Sequence, residues 1–182
     1  MLSESENPPI IWPSESSVTD FSGKWWVAHT KSRNEKALAH DMINREISYF
    51  LPMAWSVRRK SRRTIKSLLP LFGGYIFFCG DENQRIQLLK TDRVANLIEV
   101  KNQQQLIDEL AQIERVLKTG EPVTPHKYLK TGQKCRVVAG PLLGIQGIIV
   151  SVKGQTRLVL QVDILGQAAS VEIEIDMIEP VE

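Results

Sequence analysis

Pro70-Leu71-Phe72-Gly73-Gly74-Tyr75-Ile76-Phe77-Phe78 decides the fold of this 182-residue chain. Two glycines hinge the backbone ahead of four consecutive apolar residues. A strand apolar on both faces belongs in the middle of a sheet covered on both sides. Tyr75 and Phe77 share one face of it, Ile76 and Phe78 the other. Such a sheet needs neighbours, and the flanking sequence offers them. Trp25-Trp26-Val27-Ala28-His29 is a β-rich run, with Trp25, Val27 and His29 on one face. Residues 47–53 form a second strand that ends near Pro52, and 94–100 form another. Ser32, with Glu35 three residues on, has the spacing of a helix start, and Leu38, Ala39, Met42 and Ile43 follow at helical spacing. The spacing predicts a helix over 33–46. Asp81 caps a short helix to about residue 90. Leu106, Leu110, Ile113 and Leu117 mark a third helix over 103–118, closed by Gly120 and Pro122.

Between the second strand and the glycine hinge lie two strand-like arms, 55–59 and 64–68, around Arg58, Arg59, Lys60, Arg62, Arg63 and Lys66. No acid falls between Glu46 and Asp81. The chain's net charge of +2 therefore hides a local excess. Such a patch attracts polyanions, or else is simply a solvated hairpin. Residues 1–23 are rich in Ser, Pro and Glu and carry acids only, so they are expected to be a mostly disordered leader. Residues 119–130 contain glycine, two prolines and polar residues, the composition of a linker. Beyond it the helical period ends and short strands alternate with glycine turns, which predicts a small all-β barrel over 131–182. Its Val- and Ile-rich run (Ile148, Ile149, Val150, Val152) favours the β form. The fold class is thus α+β: an antiparallel sheet packed with helices over 24–118, then the barrel.

Composition narrows the function. Two cysteines are too few for a disulfide scaffold and point to a reducing, cytoplasmic setting. The chain has neither a basic-apolar secretory start nor an apolar run near the ~20 residues of a membrane helix. His29, His40 and His126 fall in three separate elements, and the sequence lacks His-Glu-x-x-His, Cys-x-x-Cys and Gly-x-Ser-x-Gly. The glycine-rich stretch 140–147 is followed by a strand rather than a helix, so it is no phosphate loop. No catalytic residue, metal ligand or cofactor site is expected. The aromatic residues Trp25, Tyr75, Phe77 and Phe78 are core by base rate. A sheet face only partly covered by helices would instead leave an apolar patch for a partner helix.

Several stretches in order resemble the NusG-like transcription elongation factors, which join an N-terminal NGN domain to a KOW barrel. They are residues 25–36, Leu51-Pro52-Met53 with the basic hairpin, residues 70–77, Arg93-Val94, and 132–147 with the KOW turn glycines Gly140, Gly144 and Gly147 and Pro141. Gly73 replaces the family's usual proline, and Leu142 its usual KOW phenylalanine. The stretch 30–35 looks more like the specialised RfaH-like or polysaccharide-operon antiterminators than the housekeeping factor. The resemblance implies a monomer that binds the clamp helices of the largest RNA polymerase subunit and suppresses pausing or termination. Tyr75 and Phe77 would line the groove, with Trp25, His29 and Leu97 beside them. Arg58, Arg59, Lys60, Arg62 and Arg63, with Lys31 and Arg33, would contact upstream or non-template DNA. The KOW domain would recruit a ribosomal protein or termination factor. A KOW barrel is also compatible with an RNA-binding or ribosome-associated protein.

Overall fold

A computed structural model describes residues 6–60 and 63–181. The chain folds as two compact units, divided between residues 103 and 104.

The first unit is built on a five-stranded antiparallel sheet. Its elements are β1 (Ile11–Trp12), β2 (Lys24–Thr30), α1 (Glu35–Ile43), β3 (Ser48–Phe50), β4 (Met53–Lys60), β5 (Arg63–Pro70), β6 (Tyr75–Gly80), α2 (Glu82–Leu89) and β7 (Val94–Glu99). The order across the sheet is β1-β3-β6-β2-β7. β6 lies in the middle, as its two apolar faces require, and residues 76–79 are all buried. On one face Ala28, Tyr49, Ile76 and Phe78 pack with Leu38, Ala39 and Met42 of α1. On the other, Trp25, Val27, Phe50 and Phe77 are fully buried. Phe72 meets Phe77 edge-on at 6.3 Å, and Phe21 lies 5.6 Å from Trp25. Each such side chain contributes roughly 1.5–3 kcal/mol of burial. Asp81 caps α2, accepting from the Gln84 amide at 2.8 Å while Gln84 Oε1 accepts from the Asp81 amide at 3.0 Å.

Three expectations are corrected here. The leader is not a disordered segment from residue 6 onward: β1 pairs with β3 and extends the sheet. Ile11 and Val18 are buried, Ile10 and Trp12 pack on the α1-side core, and the Tyr49 hydroxyl donates to the Pro9 carbonyl at 2.8 Å. A few apolar anchors outweigh a polar composition. The helix start is also different. α1 begins at Glu35, with Asn34 as its N-cap, so Ser32 lies outside it. Finally, the expected linker contains a strand, β8 (Val123–Lys127), paired with β12.

The second unit comprises α3 (Gln103–Thr119) beyond its first residue and a six-stranded antiparallel sheet. Besides β8 the strands are β9 (Gln133–Val137), β10 (Gln146–Val152), β11 (Gln155–Val162), β12 (Gln167–Glu172) and β13 (Ile178–Pro180). Their order is β13-β9-β10-β11-β12-β8. Pro125 is tolerated because β8 is an edge strand. Leu158, Val159, Val162, Ala169 and Val171 are buried at its centre. A Cβ on Gly147 would stand 2.5 Å from the Val159 carbonyl oxygen, so glycine is what lets β10 approach β11. The side chains of α3 tie to this sheet unit: Gln112 Oε1 accepts from the Gln146 amide at 2.7 Å, and Arg115 donates to the Leu143 carbonyl at 2.5 Å.

Candidate functional site

The pairing of β2 with β6 sets His29 opposite Tyr75. Their rings stack at 4.8 Å and 19°, and both are half-buried. The turn ahead of Tyr75 is pinned from two sides. The Gly74 amide donates to Glu35 Oε1 at 2.6 Å, and the Gly74 carbonyl accepts from the Thr30 amide at 2.8 Å. Gly74 has φ of +85°, and a Cβ there would lie 3.6 Å from the His29 ring. Glu35 is itself buried. The first turn of α1 therefore fixes where the stacked pair sits.

The rest of the expected apolar groove is redistributed. Phe77 and Trp25 lie on the same face as Tyr75 and His29 but are 0% exposed, so they belong to the core and do not line an open groove. Leu97 lies opposite Ala28 in the register with β2. That puts it on the α1 side of the sheet, packed against Ala28 and its neighbours, away from Tyr75. Alternation along a strand was readable; registration between β2 and β7 was not.

The basic residues sit where β4 and β5 form a separate two-stranded ribbon. Arg58, Arg59 and Arg63 are exposed on it. Arg62 lies outside the described residues, as does the side chain of Lys60. Lys31 is engaged by Asp92 at 2.5 Å, which holds the Asp92 carboxyl below the usual range by hydrogen bonding and charge. Arg33 instead lies on the wall of an open groove of about 1920 Å3 between the ribbon and the start of α1, together with Lys36, Arg58, Arg59 and Lys66. The Lys36 amine donates to the Leu68 carbonyl and to Asn7 Oδ1, both at 2.5 Å. Burial pushes its pKa down, with Glu35 opposing.

Trp55 and Val57, 52% and 59% exposed, also line this groove, and the sequence reading passed over them. The signal was present: both alternate with charged or small residues on a ribbon with only two strands.

In the second unit the turn 140–144 closes with Leu143 N to Gly140 O at 3.2 Å and Gly144 N to Val137 O at 2.8 Å. Pro141 is exposed on it. Leu142 is buried, so its difference from phenylalanine falls inside the unit rather than on a contact surface, whereas Leu143 is 56% exposed. Both cysteines are buried and free, and burial pushes the Cys79 thiol up to about 11, which leaves it an unreactive thiol. Among the described residues no group of three His, Cys, Asp or Glu is placed to hold a metal ion, and no helix is long and apolar enough to cross a membrane.

No curated protein sequence matches. A structure described as domain interaction in Thermotoga maritima NusG is similar at 18% identity, covering 87% of this chain and 97% of that chain, with a TM-score of 0.45. A structure described as the MjSpt4:Spt5 complex, conformation B, is similar at 17% identity with the same coverages and a TM-score of 0.27. The family model described as transcription termination factor nusG matches residues 23–117, more than half of the chain and all of the sheet from β2 to β7. The chain belongs to the NusG family of transcription factors.

Proposed function

We propose that this protein is a transcription elongation or antitermination factor that docks on the clamp helices of RNA polymerase and suppresses pausing or termination. Its family membership carries the proposal. Residues 24–118 would be the docking module. The stacked His29–Tyr75 pair supplies a rigid, half-exposed aromatic surface at the end of the central strands, the kind of anchor that dominates docking energetics. A factor that prefers the closed polymerase clamp stabilises it by that difference in affinity, without bond chemistry of its own.

The exposed Arg58, Arg59 and Arg63 lie on a ribbon that projects as a separate sheet, and suit phosphate contacts to upstream or non-template DNA. The second unit, with its turn at 140–147, would recruit a ribosomal protein or a termination factor. The setting would be the cytoplasm, on transcribed DNA. Whether the factor serves all genes or, like the specialised antiterminators, a few operons would appear in its occupancy across the genome.

The test is binding to purified polymerase together with pause duration in transcription. Tyr75→Ala with His29→Ala is expected to weaken binding by tenfold or more and to restore pausing while the protein stays folded. Unchanged binding by the double variant would remove the docking surface. A protein that ignores polymerase and binds ribosomal RNA alone would favour the ribosome-associated reading.

A further inference from the structure

The segment before β2 precedes the residues matched by the family model, yet it is bound into the first unit through β1. Its first described residues, Glu6 and Asn7, stand on the wall of the groove between the β4–β5 ribbon and the start of α1. The Lys36 amine joins Asn7 Oδ1 to the Leu68 carbonyl, 2.5 Å on each side. The segment thus meets the ribbon beside Leu68, whose cross-strand partner is Trp55. Outward from that pair, the same ribbon face carries Val57 with Lys66 and then Arg59 with Thr64. Trp55 and Val57 are exposed there, an apolar strip that the first unit leaves uncovered. Among the described residues Arg33, Arg59 and Lys66 form no ion pair.

We propose that residues 1–5, which lie outside the described residues, run along this face as an intramolecular strap that a polyanion must displace to reach the ribbon. Leu2 would cover Trp55 and Val57, and Glu4 would sit among Lys66, Arg59 and Arg33. An extended Met1-Leu2-Ser3-Glu4-Ser5 puts Leu2 and Glu4 on one side, together with Glu6. Five extended residues reach about 17 Å, and the ribbon face from Trp55 to Arg59 is about 13 Å long at the usual strand rise. Charge is complementary as well: residues 1–23 carry acids and no base, and the ribbon carries bases and no acid. A second copy or a foreign peptide would have to outcompete a segment already anchored at Asn7, whose effective concentration is on the order of millimolar. At that concentration a contact with an intrinsic Kd of about 1 mM keeps about half of the molecules strapped, and one tenfold tighter about nine-tenths. Apparent affinity for a polyanion falls by the same fraction, roughly twofold to tenfold. The proposal rests on the reading of the ribbon as a DNA-facing element and adds to it an internal competitor.

The experiment compares the full chain with a chain lacking residues 1–5 and with Leu2→Ser and Glu4→Gln, at one fixed ionic strength. The first readout needs no nucleic acid. Of the four tryptophans Trp55 alone is exposed, so the difference between each protein and its Trp55→Phe version isolates the Trp55 fluorescence. Acrylamide quenching of that signal is expected to rise roughly twofold when residues 1–5 are removed, and to rise in both point variants. Quenching that is the same with and without residues 1–5 would overturn the strap. The second readout is anisotropy of a labelled DNA oligonucleotide. Removal of residues 1–5 should tighten binding by roughly twofold to tenfold. Leu2→Ser decides the cause, because it leaves the charge unchanged. Tightening by Glu4→Gln alone would mean simple repulsion of DNA by a carboxylate and would overturn the contact with Trp55. Equal DNA affinity with and without residues 1–5 would overturn the competition. A rise in quenching in a protein that binds no DNA at all supports the strap and removes only the DNA-facing reading of the ribbon.

Discussion

Two regions of the first unit obey the same alternation and end up opposite in character. In β6 the apolar residues fall on both faces, and both are sealed: Ile76, Phe77 and Phe78 are 0% exposed. In the β4–β5 ribbon the apolar face begins in the core at Met53 and comes out into solvent at Trp55 and Val57. What separates them is neighbours. β6 has a strand on each side, whereas β4 and β5 have only each other. Aromatic residues inside the central strand are therefore structural, with only Tyr75 at its start keeping exposure, and those on a two-stranded ribbon are available.

The largest test of this contrast is stability. Phe77→Ala is expected to cost about 3–5 kcal/mol, since it empties a fully packed site. Trp55→Ala should stay within roughly 1 kcal/mol, as a surface change does. Urea unfolding of both variants checks this. Similar losses would mean that Trp55 carries core packing and that the two regions do not differ.

Much of this contrast was legible in advance. The run Tyr75-Ile76-Phe77-Phe78 announces a central strand, and the basic arms announce a hairpin, whose register pairs Trp55 with Leu68 and Arg59 with Thr64. The limits are as instructive. Period-two alternation puts Tyr75 and Phe77 on one face but does not say which of them is covered, and only Tyr75 retains exposure. It does not register β7 against β2, which is why Leu97 falls on the other face. The segment before β2 was hidden by its composition: Ile10, Ile11 and Trp12 are a short apolar island among prolines, serines and acids. Trp55 was legible only as part of a hairpin arm, because alternation does not say which face of a two-stranded ribbon is left uncovered.

That island supplies the next test. β1 closes the β3 edge of the sheet, with the Leu51 amide donating to the Ile10 carbonyl at 2.7 Å in addition to the strand pairing. Ile11→Ser should cost about 2 kcal/mol from lost burial. Urea unfolding of this variant checks it. A loss within about 0.5 kcal/mol, as for a surface change, would show that β1 adds little to the covered region.

Glu35 sharpens the comparison from the other side, because its carboxylate holds the turn that presents Tyr75. Glu35→Ala removes a charge-assisted hydrogen bond to the Gly74 amide, expected to cost about 1.5–3 kcal/mol. Glu35→Gln keeps an acceptor oxygen and should recover around half of that. Polymerase binding should follow the same ranking. Thermal melts and polymerase binding on this pair of variants show whether Glu35 sets the stacked pair; equal binding by both variants and wild type would show that it does not.

The smallest effect belongs to Lys36, which bridges the N-terminal segment and the ribbon through Asn7 and the Leu68 carbonyl. Its folded pKa lies below 10.5 because burial penalises the ammonium more than Glu35 rewards it. Between the depressed value and 10.5 the unfolded chain binds more protons at this site than the native one, so its contribution to stability increases with pH across that window. A Lys36→Met variant lacks the titration. The melting temperature of the wild type should therefore gain on that of the variant as pH is raised from about 8 towards 10. A difference that stays flat, or shrinks, would show that the ammonium is as well solvated in the groove as in the unfolded chain, and that the groove floor is open rather than covered.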